Sequence, residues 1–551
     1  MPTINVNKKG FLKLISKRLT DQEIEEKISM MGVSVENVTE NEIVVEVFPN
    51  RPDLLSEYGL ARAASTFLGT SKGLKKYKVH ESSYVLNVQG TVGEWPYAVA
   101  AVVKGLRFDD GKIKEVIQLQ EKLGGTFLRN RKKGGIGLYP LDKIRFPIRF
   151  TSELPDKINF RPLEFPKAIS GRDILELHPT GKEYKNIIAN WKKFPIFVDA
   201  KNVVMSMPPI INSHDVGKIT EDTIDVFLEV TGKDLNVINK ALNIMAASLS
   251  DMGGRIYNVK LVYGNKSYNS PNLNPEEVKI DVNYINTRIG LNLKPSEVSR
   301  LLEKMGHGVK KKGKDVFALV PAYRADIIHQ IDLAEDVAIA YGYDNLKEEI
   351  PNVATIGEES RFEVFKRKVA GVLVGLGLLE VHTYNLINKE TQTTKMNTNL
   401  KCVELANSLS EEYNTLRAWM IPSLVQVLKE NKHNEYPQNI FGYGNVFKYE
   451  ENTETGTTEA TRLGIVLCHT NANFTEIKQV LDVITKALDI KYEVKETEHN
   501  SFIEGRVGRI SVRGADIAYI GEINPIVLDN FGLDMPVVAL EINLTELFRL
   551  M

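Results

Sequence analysis

The segment YRADIIHQIDLAEDVAIAYGYDN, residues 323–345, sets four carboxylates, Asp326, Asp332, Glu335 and Asp336, around the start of one helix. At about 100° per residue, Asp332, Glu335 and Asp336 fall within about a third of the circumference. Leu333, Val337, Ala340 and Tyr341 take the adjoining apolar side. Such a helix buries one face, and its other face needs compensation. Like charges at this spacing repel by about 0.2–0.5 kcal/mol per pair. Two arrangements satisfy the pattern. One is a solvated acidic face with Asp326 as the N-cap. The other is a hard cation such as Mg2+, which favours carboxylate oxygens, keeps several waters and takes one or two carboxylates. The spacing permits both.

A chain of 551 residues is too long for one core and predicts roughly three to five domains. Apolar residues at 43% and charged residues at 26% are ordinary for a soluble globular protein. No apolar run approaches the ~18 residues of a membrane span. The first twenty residues lack the apolar core and small-residue cleavage site of a secretory signal. Cys402 and Cys468 are the only cysteines, too few for a disulfide framework or a zinc cluster. A reducing cytoplasm is the expected location. The net charge of −1 gives no bulk signal for nucleic acid. Local basic clusters exist at Lys75–Lys78, Arg129–Lys133 and Lys310–Lys314, and each reads first as a solvated loop.

Residues 1–85 alternate strand patterns with two helices. Asp21 and Gln22 open QEIEEKISMMG, which stops at Gly32. ENEIVVEVFP alternates as a strand until Pro49. Asn50–Asp53 reads as a rigid turn, because Pro52 fixes φ, and Asp53 is placed to cap the helix LLSEYGLARAASTFLG. Residues 90–265 mix strands and helices. PSEVSRLLEKMGHGV is an amphipathic helix with Ser296 as its cap. Residues 346–360 read as a polar linker, and residues 361–551 return to α/β patterns.

The densest polar cluster in the middle is PPIINSHDVGKITEDTIDVFLEVTGKD, residues 208–234. A double proline stiffens the approach to Asn212, Ser213 and His214. Thr223, Asp225, Phe227 and Glu229 alternate onto one face of an expected strand. Residue types alone describe a hairpin with polar turn chemistry.

Two motifs carry a family resemblance. Asp326, Asp332, Glu335 and Asp336, followed by Tyr341-Gly342-Tyr343-Asp344-Asn345, resemble the magnesium-binding segment of the phenylalanine–tRNA ligase beta subunit family. PNRPDLLSEYGLARAASTFLG, residues 49–69, resembles that family's first domain. The resemblance continues to the closing IGEINPIVLDNFGLDMPVVALEINL. It implies an α+β multidomain chain. The expected parts are an N-terminal α/β domain over 1–85, a mixed α/β tRNA-editing domain over 86–266 and a small winged-helix-like metal-binding domain over 267–346. A class II synthetase-like antiparallel-sheet module without catalytic motifs follows over 360–551. The short length resembles the archaeal and eukaryotic-cytosolic type, with anticodon reading placed elsewhere.

The resemblance also implies chemistry. An alpha subunit, paired in an (αβ)2 heterotetramer, would use ATP to join phenylalanine to tRNA(Phe). The beta chain would hold Mg2+ through Asp326, Asp332, Glu335 and Asp336. HPTGKEYKNIIANWKKFPIFVDAKNVVMSMPPIINS resembles the editing domain, which hydrolyses mischarged tyrosyl-tRNA. A second site is needed because an apolar pocket rejects an added hydroxyl by only ~100-fold in a comparable case. By the family pattern Glu229 recognises the phenol, while Asn212, His214 and Thr223 hold the ester and its attacking water. In the last module Arg417 and Arg506 are the nearest to phosphate-binding arginines and read as structural or interface residues. One departure stands at Phe441-Gly442-Tyr443-Gly444, where relatives usually carry an acidic residue. Two rival readings remain: a stand-alone RNA-binding or trans-editing protein, and a monomeric ligase using residues 361–551.

Overall fold

The computed structural model describes residues 2–89, 94–312, 315–354 and 357–551. Lys314 of the third basic cluster lies outside them. The chain divides into two compact units between Ile350 and Pro351, inside the expected linker.

The first unit opens with a three-stranded antiparallel sheet in which Glu42–Glu46 lies between Thr3–Asn7 and Ser34–Val38. Ile43, Val45 and Val47 point into the core, as strand alternation requires. The helix Asp21–Ser29 begins with Thr20, not Asp21, as its cap: Thr20 and Glu23 form a reciprocal capping box. The expected turn at Asn50–Asp53 is a short 3-10 turn, Pro52–Leu54. Asp53 does not cap the following helix Glu57–Phe67. Ser56 does, accepting the Gly59 N–H. Likewise Lys294, not Ser296, precedes Pro295–Lys304, where Pro295 supplies the first helical residue.

Two larger sheets follow. In a five-stranded sheet Val226–Gly232 lies between Tyr97–Lys104 and Gly134–Pro140, all antiparallel. The helix Leu235–Asp251 packs on this sheet. A seven-stranded sheet contains Val85–Val88, Ile148–Glu153, Phe194–Val198 and Val204–Met207. One continuous apolar core runs from Ile4 through Leu261, across the boundary expected at residue 85. A smaller core fills the space between the antiparallel strands Glu276–Ile280, Gly308–Lys312 and Asp315–Val320 and the helices Val282–Ile289, Pro295–Lys304 and Gln330–Tyr341. Leu333, Val337 and Ala340 contribute the apolar face anticipated for the last helix.

The second unit is a seven-stranded sheet, antiparallel except for the edge strand Leu379–Glu380, which runs parallel to Gln438–Tyr449. Alternation decides its two faces. Leu463, Ile465 and Leu467 meet the helices Arg361–Gly375, Phe474–Ala487 and Leu544–Leu550. Val466 and Cys468 meet Ile421–Glu430 and Pro525–Phe531. Cys402 and Cys468 are buried and unpaired. Among the described residues no helix is long and apolar enough to cross a membrane.

Candidate functional site

The acidic segment holds its own countercharge. Arg324 grips Asp326 with two parallel hydrogen bonds, Nε to Oδ1 at 2.8 Å and Nη2 to Oδ2 at 2.7 Å. The same Nη2 lies 2.8 Å from Oδ2 of buried Asp336. His307 Nε2 approaches that oxygen at 2.6 Å. Burial pushes the His307 pKa down against the pull of Asp336, so a neutral ring donates its Nε2 proton to a carboxylate that can only accept. Burial would raise the pKa of Asp336, but Arg324 and the His307 hydrogen bond hold it well below the usual carboxylate range. Asp326 is therefore not the N-cap. His329 occupies that position, and Asp332 Oδ2 accepts the N–H groups of Ile328 and His329, each at 2.7 Å. Glu335 is exposed, and its pKa is raised by the desolvation it does undergo and then by Asp336, Asp326 and Asp332.

These four carboxylates suit Mg2+ in donor chemistry, being hard oxygen ligands with more negative charge than Arg324 cancels. Their placement is a different matter. Among the described residues no group of three or more His, Cys, Asp or Glu side chains is set to hold a metal ion. Arg324 occupies both oxygens of Asp326 and one of Asp336.

The second motif reaches the same network. Asp53 is 1% exposed and is held by Arg51 through Nε and Nη2, both at 2.9 Å. Burial would raise the Asp53 pKa, but Arg51, Arg324 and Arg62 together lower it. Arg62 stacks on Tyr323 with its guanidinium carbon 4.0 Å from the ring centre. It also pairs with Asp251 at 2.5 Å. Residues 49–69 and 323–345, remote in sequence, thus share one buried set of charges.

A cleft of about 250 Å3 opens in the middle of the first unit, lined in part by Gln120, Arg131, Ile136, Pro209, Asn212 and Glu229. Glu229 projects from the central strand Val226–Gly232, opposite Gly137. A Cβ at Gly137 would collide with Glu229 Oε1 and the Tyr139 hydroxyl, so only glycine leaves room for the carboxyl. The Tyr139 hydroxyl lies 3.1 Å from Glu229 Oε1, 2.8 Å from Ser206 Oγ and 3.3 Å from Asn212 Oδ1. Glu229 Oε2 is buried with no hydrogen-bond partner. Burial pushes the Glu229 pKa up to about 8. The free cleft therefore presents a protonated carboxyl at neutral pH, not the acceptor-only carboxylate that its residue type suggests.

Asn212 lines this cleft; His214 and Thr223 do not. His214 begins the short helix His214–Gly217, and its Nδ1 accepts the Glu164 N–H at 3.2 Å. Thr223 lies before the strand and not on it. Its Oγ1 accepts the Thr220 N–H at 3.0 Å, which closes a turn. The expected alternation holds only from Phe227 to Glu229, because the strand starts at Val226. Tyr139 and Ser206 were not anticipated. The sequence signal for Tyr139 was GGIGLYP, in which Gly135 and Gly137 share its strand face.

In the second unit, Arg417 is 2% exposed. It gives its donors to the Asn445, Thr383 and Tyr384 carbonyls, the Thr383 hydroxyl and the Asn385 side chain. Arg506 is exposed and pairs with Glu522 at 2.6 Å. Arg417 is thereby committed to the fold. At Gly442 a Cβ would sit 2.7 Å from the Val381 carbonyl oxygen, and at Gly444 it would strike Arg417. An acidic side chain at either position would require local movement.

Two family models match the second half of the chain: a tRNA synthetase B5 domain over residues 278–343, and the phenylalanyl tRNA synthetase beta chain CLM domain over residues 346–544. The chain is 40% identical to the phenylalanine–tRNA ligase beta subunit of Thermococcus onnurineus, covering all of this chain and 99% of that one. It is 40% identical to the Pyrococcus horikoshii beta subunit over the full length of both. The crystal structure of an N-terminal fragment of the Pyrococcus horikoshii phenylalanyl-tRNA synthetase beta subunit superposes with a TM-score of 0.60 and 36% identity, covering 62% of this chain and 99% of the fragment. The fold is thus that of a multidomain aminoacyl-tRNA synthetase subunit. The chain belongs to the phenylalanine–tRNA ligase beta subunit family.

The Glu229 carboxyl carries a pH signature. Its folded pKa, about 8, lies above its ordinary value of 4.5. Below pH 4.5 both folded and unfolded chains hold the proton, and the group costs nothing. As pH rises toward 8 only the unfolded chain releases it, so stability falls across that window. Glu229→Gln should abolish this slope. It should match wild type at pH 4 and exceed it at pH 8 by on the order of a few kcal/mol, read from urea unfolding at both pH values. An unchanged slope would mean that Glu229 is ionised in the fold.

Proposed function

We propose that this chain works as the non-catalytic partner in aminoacylation and as the editing subunit. In the cytoplasm, two copies would assemble with two alpha subunits. The alpha subunit would carry the synthetic site, converting ATP, L-phenylalanine and tRNA(Phe) to AMP, diphosphate and L-phenylalanyl-tRNA(Phe). The family membership supports the pairing. The commitment of Arg417 to backbone carbonyls supports a scaffold without its own nucleotide chemistry in residues 360–551.

One observation carries the editing assignment: the buried, unpartnered Oε2 of Glu229 at the wall of a cleft. A tyrosyl phenol reaching that oxygen supplies the missing hydrogen bond. A phenylalanyl ring leaves a buried polar atom unsatisfied, which costs about 1–3 kcal/mol. Tyr139 fixes the carboxyl, and Asn212 lines the same cleft where it can position the ester. His214 and Thr223 stand outside the lining, so the assignment rests on Glu229 and Asn212. Glu229→Ala should slow deacylation of preformed tyrosyl-tRNA by the heterotetramer roughly 5- to 150-fold, the ~1–3 kcal/mol of leaving the buried phenol without a partner. Charging with phenylalanine should barely change. Undiminished deacylation would remove Glu229 from the site.

Mg2+ would be held by Asp326, Asp332, Glu335 and Asp336. The support is the negative charge that Arg324 leaves uncancelled, felt at Glu335. The ion would relieve the repulsion among these carboxylates around the start of the helix Gln330–Tyr341. Asp332→Asn combined with Glu335→Gln should then lose the rise in melting temperature that Mg2+ gives the wild type. Retention of that rise would leave Arg324 as the sole countercharge.

A further inference from the structure

A second cleft, of about 400 Å3, lies beside the buried charge network of the first unit. Its volume is in the range of small-molecule sites. Five cations line it: Arg51, Arg62, Lys72, Lys75 and Arg324. Two carboxylates of the lining, Asp53 and Asp251, face them, and Asp326 and Asp336 hold Arg324 from outside it. Asp53 is taken by Arg51. Asp251 is taken by Arg62, by Lys75 at 2.7 Å and by the Tyr77 hydroxyl at 2.9 Å.

Arg62 carries a donor that none of these pairings satisfies. It is 9% exposed, and Tyr323 fixes its plane. Nη1 donates to Asp251 and lies 3.2 Å from the Tyr77 hydroxyl. Nη2 is buried and has no partner. An unpartnered donor on a buried cation is costly, and a guanidinium edge suits the oxygens of a tetrahedral oxyanion. At the mouth, Lys72 is 80% exposed and reaches only Glu303, at 3.4 Å. Lys75 is half exposed. Neither lysine needs to move far to close on an anion.

We propose that this cleft is a phosphate-binding site: Arg62 Nη2 receives one phosphoryl oxygen, and Lys72 and Lys75 neutralise the group from the mouth. A phosphoryl group fits better than a single carboxylate, because its several oxygens can meet Arg62 Nη2 and the two mouth lysines at once. The same chemistry is offered by a free phosphorylated small molecule and by an RNA backbone phosphate. The site is separate from the cleft at Glu229 and does not rest on the editing assignment.

The test uses the full-length chain and two variants. Arg62→Lys keeps the charge facing Asp251 but removes the forked donor. Lys72→Glu alters an exposed side chain and leaves folding intact. Inorganic phosphate, titrated against chloride at equal ionic strength, should raise the wild-type melting temperature. Each variant should weaken that response about tenfold or more, as expected for one lost charge-assisted hydrogen bond. The proposal is overturned if phosphate acts no differently from chloride, or if Lys72→Glu responds as wild type does. If Arg62→Lys does not fold, Lys72→Glu decides alone. Binding of tRNA then separates the sources. Weaker binding by Lys72→Glu, with a salt dependence lower by about one phosphate contact, assigns an RNA phosphate. Unchanged tRNA binding with a lost phosphate response assigns a small phosphorylated ligand.

Discussion

Arg324 has 1% of its side chain exposed, and an unpaired ion so placed would cost several kcal/mol. Its pairing organises everything around it. The guanidinium holds Asp326 with two bonds and Asp336 with a third, while Asp336 orients the neutral ring of His307. Its charge also acts on Asp53, which Arg51 holds from the other side. Buried ion networks add little net stability over apolar packing, but removing one member is costly. The network therefore specifies which surfaces meet. It fixes the helix Gln330–Tyr341 and the turn Pro52–Leu54 in one arrangement, and the cationic cleft lies alongside.

The same rule, that a buried polar group must find a partner, shapes the cleft at Glu229. Strand register sets Gly137 opposite Glu229, and the missing side chain makes room for the carboxyl. The Tyr139 hydroxyl engages one oxygen and leaves the other bare. A ligand hydroxyl at that oxygen relieves an existing cost, which discriminates more sharply than an added contact in an apolar pocket.

Much of this was legible in the sequence where the signal was local. Apolar spacing placed Leu333, Val337 and Ala340 in a core, and period-two alternation put Ile43 and Val45 inside. Glu229 was legible as a strand residue on the same face as Phe227. Capping was read less well, because Asp53 and Asp326 have the right residue type for a cap. Nearby arginines bind them more strongly than a helix N-terminus would. Tyr139 and Ser206 could not be linked to Glu229 without the sheet topology that brings three distant segments together. Thr223 was misplaced because alternation of residue types ran past the true strand start at Val226. The repulsion among the acidic residues was read correctly, but its nearest remedy, Arg324, stood two residues from Asp326 and was not seen as one.

The central claim is that residues 49–69 and 323–345 form one electrostatic unit. A double-mutant cycle on Asp53→Asn and Arg324→Gln, measured by urea unfolding of the full chain, tests it most directly. Asp53 and Arg324 share no hydrogen bond, so any coupling reports the buried field between the two segments. The account predicts a coupling energy of about 1 kcal/mol or more. Effects that add to within about 0.5 kcal/mol would mean that the two segments are stabilised independently.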